Sequence, residues 1–193
     1  LFPRGGFPQG SFSTLMIGVK LVNTVIDDWR VKAITLTGSE PAGRAVAERA
    51  GRQIKKSVLE LGGSDAFVVM PSADIEKSAK TGVLARVNNN GQSCIAGKRF
   101  IIHEDIYDAW VEHFVAEMAS LVVGDPMDPA TNIGPLATKN GQRDIAQLVD
   151  DAKDKGARIL LGGELPEGPG FYYPPTIIDN ITQSLWLCKT WSA

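Results

Sequence analysis

Apolar residues recur along this chain with two distinct periods, and the alternation between them sets out its elements. Over positions 105–121 they fall at Ile106, Ala109, Trp110, Phe114, Met118 and Leu121, three or four apart, the stripe of a helix with one buried face. A second long helical pattern covers 138–155 and is stopped by Gly156. Short apolar runs at 32–37, 57–61, 66–70 and 98–103 read as strands, and 14–19, 158–161 and 175–178 are further strand candidates. Helix starts are marked between them. Ser39 is a good N-cap, and Pro41 suits the first turn because its missing N–H costs nothing there. That helix is expected to reach about residue 50, with Gly51 as its terminator. Asp74 caps a helix ending near Asn88, and 22–29 forms a short one. Strands alternating with helices predict an α/β fold with a mainly parallel sheet.

The two ends break the pattern. Residues 1–12 carry two Pro and three Gly and read as a loop. Residues 183–193 hold Trp186, Cys188 and Trp191 without any period, a stretch foreign to what precedes it. No internal repeat or low-complexity tract is visible.

Composition narrows the function classes. With 193 residues the chain can bury a core of one or two domains. A net charge of -2 with no basic stripe argues against nucleic acid as a partner. The longest apolar runs, such as 66–70, are far too short to span a bilayer, and no charged region precedes an apolar one as in a secretory signal. Two cysteines make a disulfide framework unexpected and favour a reducing compartment, so the cytoplasm is the expected location. Cys94, Cys188, His103 and His113 lack the spacing of a zinc site.

Chemistry concentrates at three places. Cys94 closes Gly91-Gln92-Ser93-Cys94 among small residues, and a cysteine is a nucleophile only as its thiolate. If residues 93–97 enter a helical turn, backbone N–H groups there can stabilise an oxyanion. On its own the residue fits a buried structural cysteine equally well. Glu60 opens Glu60-Leu61-Gly62-Gly63 at the end of an apolar strand, where a carboxylate is either a general base or a rim charge. Gly62 and Gly63 behind it allow a flat ligand to approach the backbone. Gly38-Ser39-Glu40-Pro41-Ala42-Gly43 joins a strand to a helix start, which suits a phosphate but also describes a ligand-free cap. Its glycines do not follow the dinucleotide-binding fingerprint.

Taken together in order and spacing, Thr37-Gly38-Ser39, Glu60-Leu61-Gly62-Gly63, Gly91-Gln92-Ser93-Cys94 and Ile133-Gly134-Pro135-Leu136 resemble the aldehyde dehydrogenase superfamily. Residues 39–44, 59–65 and 96–101 are most similar to its succinate-semialdehyde dehydrogenase branch, and the resemblance runs from about Leu1 to Thr182. It implies an aldehyde dehydrogenase-like α/β fold, part of a Rossmann-type cofactor domain (1–61) joined to part of an α/β catalytic domain (62–182), with 183–193 a departing tail. It further implies NAD(P)-dependent oxidation of an aldehyde, succinate semialdehyde among the candidates, to the carboxylic acid. Cys94 forms a thiohemiacetal whose oxyanion is held partly by its own N–H, hydride passes to NAD or NADP, and Glu60 activates the water that hydrolyses the thioester. Gly38 and Ser39 lie along the cofactor, Gly43 permits close helix packing, and Leu61 and Gly62 line the nicotinamide pocket. The resemblance also implies a small-molecule aldehyde substrate and homo-oligomeric full-length relatives.

The departures from the family pattern carry expectations of their own. The upstream Trp-Asn-Phe-Pro-type segment and the ribose-binding lysine have no counterpart, and the Glu-x-Phe-Gly-Pro segment expected after Thr182 is replaced by the tail. The chain therefore reads as an interior piece, and the alternative function is a catalytically inactive fragment. Asn88 stands where succinate-semialdehyde enzymes often carry an arginine six residues before the nucleophile, and the nearest arginine is Arg86.

Overall fold

The computed structural model describes residues 3–181, and the tail at 183–193 lies outside them. Two compact units divide the chain, Leu1–Glu60 and Leu61–Ala193.

In the first unit, a 3-10 turn at Pro3–Gly5 precedes α1 (Val19–Asp27), β1 (Ala33–Gly38), α2 (Glu40–Arg52) and β2 (Lys56–Leu61), which pairs with β1 and ends at the unit boundary. Ile26 of α1 packs with Val46 and Ala50 of α2, and Val22, Ile34 and Leu36 close around them. The Asp27–Arg49 ion pair ties the two helices, and the Arg49 guanidinium holds the Asp27 carboxyl below the usual carboxylate range. The strand expected at 14–19 does not form: the chain is irregular there until Gly18, with Met16 94% exposed. An apolar run becomes a strand only with a partner ladder, and none among the described residues reaches this one. Gly51 does not end α2 either. The helix continues to Arg52, and the left-handed residue that stops it is Ile54, at φ 55°.

The second unit contains β3 (Asp65–Val69), α3 (Ile75–Val87), β4 (Gly97–Ile102), α4 (Tyr107–Ala119), α5 (Lys139–Asp154), β5 (Arg158–Leu161) and β6 (Ile177–Asp179). Asp74 caps α3 as the sequence predicts, accepting from Lys77 N–H at 2.9 Å, and Thr138 caps α5, accepting from Gly141 N–H at 3.0 Å. β3 and β4 pair in parallel across α3, with Phe67 opposite Phe100 and Val69 opposite Ile102. One face of this ladder meets α3 and α4 in a core of Val69, Ala79, Val83, Trp110, Phe114 and Met118. β5 and β6 pair antiparallel. The expected mainly parallel sheet is thus three two-stranded ladders among the described residues. Strand periodicity states which face is buried but not which strands become neighbours.

Candidate active site

Cys94 stands on a turn between α3 and β4, shaped by an unusual run of backbone conformations. After Asn88 ends α3, Asn89 (φ 54°), Asn90 (φ 55°) and Gly91 (φ 75°) are all left-handed. Asn and Gly are the residues that tolerate this region, which gives the Asn-rich run before Cys94 its physical reason. Beyond it Ala96 N–H donates to Ser93 O at 3.1 Å and the chain enters β4 at Gly97. The segment 93–97 is therefore a tight turn leading into a strand, not a helix start, and Cys94 receives no helix-end field from it. The thiol is exposed and free, so the structural-cysteine reading loses its premise of burial. The Cys94 N–H has no acceptor among the described residues.

Two cations hold this turn. Arg86, in the last turn of α3, donates to Gly91 O at 2.5 Å and to Gly97 O at 3.2 Å. Lys98, on β4, donates to Ser93 O and to Cys94 O, both at 3.1 Å. Burial lowers the pKa of the Arg86 guanidinium. Burial also lowers that of Lys98, and the Arg86 charge lowers it further, while Asp65 and Cys94 act in the opposite direction. Arg86 is committed to the turn, so it does not fill the role of the arginine replaced by Asn88.

The other motifs of this unit gather around the same turn. Asn90 Oδ1 accepts from Gly134 N–H at 3.0 Å and its Nδ2 donates to Pro135 O at 3.2 Å. Gln92 Oε1 accepts from Ala137 N–H at 3.0 Å. The Ile133-Gly134-Pro135-Leu136 segment is thereby fastened to Gly91-Gln92-Ser93-Cys94 by side chains of the Cys94 loop itself. From the other side, a side chain at Gly63 would stand 3.6 Å from Cys94 O, and Arg99 Nε donates to Ser64 O at 2.7 Å. Gly62 is half-buried beside it. Motif spacing gives no sign of Asn90, Gln92 and Lys98 as the residues that join these segments. A polar run marks a turn, but its partners lie some forty residues away.

In the first unit, Glu60 is exposed on β2, whose alternating burial turns Leu59 and Leu61 to the opposite face, and it has no ion pair among the described residues. Leu61, the last residue of that strand, is half-buried. Gly38 ends β1, and Ser39 caps α2, accepting from Ala42 N–H at a long 3.5 Å. Gly43 is buried in the first turns of α2, its N–H bonded to Ser39 O at 2.9 Å. The start of this thirteen-residue helix presents N–H groups without intrahelical partners, a donor set that fits the phosphates of a dinucleotide.

His103 and His113 take no part in this cluster. His103 Nδ1 accepts from Asp105 N–H at 3.3 Å, capping the 3-10 turn Glu104–Ile106.

Known proteins place the chain. Residues 1–190 match the aldehyde dehydrogenase family. An aldehyde dehydrogenase of Paenarthrobacter nicotinovorans is 57% identical over 185 residues, covering 96% of this chain and 40% of that protein. A succinate-semialdehyde dehydrogenase [NADP(+)] of Mycolicibacterium paratuberculosis is 58% identical over 184 residues, covering 95% of this chain and 39% of that protein. Among solved structures, the succinic semialdehyde dehydrogenase of Streptococcus pyogenes in complex with NADP+ superposes with a TM-score of 0.91 at 38% identity, over 96% of this chain and 41% of that one. The chain spans about 40% of the length of the curated relatives it matches. A free cysteine on a turn bonded to the Ile133-Gly134-Pro135-Leu136 motif agrees with those matches, and the chain belongs to the aldehyde dehydrogenase family.

Proposed function

We propose that this chain carries the thiol-bearing part of an NAD(P)-dependent aldehyde dehydrogenase, with residues 1–61 from the cofactor domain and 62–182 from the catalytic domain. The observation that carries the reading is the exposed Cys94 whose N–H has no acceptor among the described residues, on a turn to which the Ile133-Gly134-Pro135-Leu136 motif is bonded. Cys94 attacks the aldehyde carbonyl as thiolate, and its N–H takes the oxyanion of the thiohemiacetal. Glu60 accepts a proton from the water that hydrolyses the thioester on Cys94, releasing the acid. Gly38, Ser39 and Gly43 bind the dinucleotide at the start of α2, and Leu61 and Gly62 border its nicotinamide. A nicotinamide dinucleotide bound there supplies the hydride acceptor. Relatives named for succinate semialdehyde and NADP(+) support that aldehyde and that cofactor as the first to test, although Asn88 leaves the substrate carboxylate without the arginine common at that position.

A second reading is favoured by the 40% coverage: this stretch alone retains the thiol chemistry but does not turn over. The two separate in one assay series with succinate semialdehyde and NADP or NAD. Reduced cofactor that forms with the intact chain and vanishes in Cys94→Ala supports the first. No reduced cofactor, with Cys94 still acylated by 4-nitrophenyl acetate, supports the second. Glu60→Gln should leave that acylation within about threefold and slow release of the acyl group by about 10²-fold, the usual size of a lost general base. A Glu60→Gln chain that deacylates at the parent rate removes Glu60 from the mechanism.

A further inference from the structure

The two carbonyl bonds of Lys98 do more than anchor a loop. Ser93 O and Cys94 N–H belong to one peptide unit, and no peptide bond among the described residues is cis. In a trans unit the C=O and N–H point in opposite directions. Fastening Ser93 O to Lys98 Nζ, with Ala96 N–H as its second donor, therefore turns the Cys94 N–H away from the lysine, and it has no acceptor among the described residues. The bond from Lys98 to Cys94 O fixes the next peptide plane, so both units flanking the thiol-bearing Cα are set by one ammonium group. Arg86 fixes Gly91 O and Gly97 O at the two ends of the turn. Neither cation has to touch substrate to act in this way.

We infer that Lys98 is a positioning residue of the nucleophile turn, one that aims the Cys94 N–H as the oxyanion donor, with Arg86 bracing the turn's ends. The inference rests on the reading of Cys94 as the nucleophile. It separates two reactions of the same thiol. With 4-nitrophenyl acetate, the thiolate adds to the carbonyl, forming the S–C bond and an oxyanion, and collapse restores the C=O while 4-nitrophenolate leaves with the C–O electron pair. With iodoacetamide, the thiolate displaces iodide from carbon and no oxyanion arises. Removing Lys98 should therefore harm the first reaction and largely spare the second.

The test uses the full chain with Cys188→Ser, so that Cys94 is its one thiol, and follows both rates by mass spectrometry of the Cys94 peptide. Lys98→Met should lower acylation by about tenfold or more, less than the 10²–10³ for outright loss of an oxyanion donor, with alkylation within about threefold. Lys98→Arg, which keeps the charge and can reach carbonyls, should restore the ratio to within about threefold. An unchanged ratio overturns the proposal, whether both rates hold or both fall together. Should Lys98→Met fail to fold by circular dichroism, the ratio in Lys98→Gln, neutral and shorter, decides by the same criterion. A parent chain no more acylated than Cys94→Ala refutes the nucleophile reading itself, and the role of Lys98 with it.

Discussion

Two residues in left-handed conformations show what a single backbone angle demands. Gly91 has φ 75°, and a Cβ there would stand 2.6 Å from Arg86 Nη2. Gly91→Ala thus meets both the conformational penalty and the guanidinium that bonds Gly91 O. It should destabilise the chain by about 1–2 kcal/mol from the backbone alone, with Cys94 alkylation altered as the turn loses its brace; a melting temperature equal to the parent's contradicts this. Ile54 is the opposite case. It is a β-branched residue at φ 55°, 96% exposed, in the place where a helix stop favours glycine. Ile54→Gly gives up almost no packing and relieves the strain, so urea unfolding should show a gain of about 1 kcal/mol. A loss would mean that the strain is absent. The run Asn88-Asn89-Asn90-Gly91 was legible as a turn because Asn and Gly tolerate these angles. The fastening of Asn90 to Gly134 and Pro135 was not, since a side-chain bond across more than forty positions leaves no local trace.

Among the elements, the contact of α3, α4 and β4 is the most tightly specified. Trp110 and Phe114 stack with ring centroids 4.6 Å apart, Phe100 lies 4.7 Å from Phe114, and Trp110 Nε1 donates to Ser78 Oγ at 3.0 Å. Gly82 makes room for all three rings: a Cβ there would lie 3.1 Å from Phe100, 3.2 Å from Phe114 and 3.4 Å from Trp110. Ordinary helix propensity favours Gly82→Ala by about 1 kcal/mol, but overpacking a core costs about 1–3 kcal/mol. The second term should win because the rings confine one another, and a denaturant midpoint above the parent's would show otherwise. Trp110→Ala empties the centre of the same cluster and should cost roughly 3–5 kcal/mol. The stripe on α4 and the N-caps of α2 and α3 were readable from sequence, because period and cap chemistry are local. Strand pairing was not, nor the failure of 14–19 to form a strand, because both depend on which other segments arrive alongside.

At the scale of the whole molecule, two features connect the fold to solution behaviour. Tyr107 Oη donates to Asp179 Oδ1 at 2.5 Å and Arg158 pairs with Asp179 Oδ2 at 2.5 Å, joining α4 to β5 and β6. Burial raises Asp179, but bonds from Tyr107 and Arg158 outweigh it and leave the carboxyl below the usual range. Its contribution is thus full above the ordinary value near 3.8 and is lost as pH falls through the lower folded value. Burial, then the bond to Asp179, pushes Tyr107 up to about 12, so that contribution is full below pH 10.0 and lost as pH rises toward about 12. Asp179→Asn should flatten the acid limb of a melting-temperature profile and lessen the alkaline one, where burial of Tyr107 persists, and a profile identical to the parent's would show that the network contributes nothing. The second feature is the outer face of the β3/β4 ladder, where Val68 (59% exposed) pairs in register with Ile101 (50% exposed). Apolar neighbours on an open sheet face favour self-association, so Val68→Thr with Ile101→Thr should lower the sedimenting mass at a given concentration if that face is responsible.

Family membership is settled by the matches, while the proposed activity of this chain turns on one atom, the Cys94 sulfur. The most direct measurement is mass analysis of the chain after brief exposure to 4-nitrophenyl acetate, beside Cys94→Ala. The account predicts a single acetyl group on the peptide holding Cys94, absent from the variant and slowly released at neutral pH. Equal labelling of the two chains, or labelling confined to other residues, would contradict it.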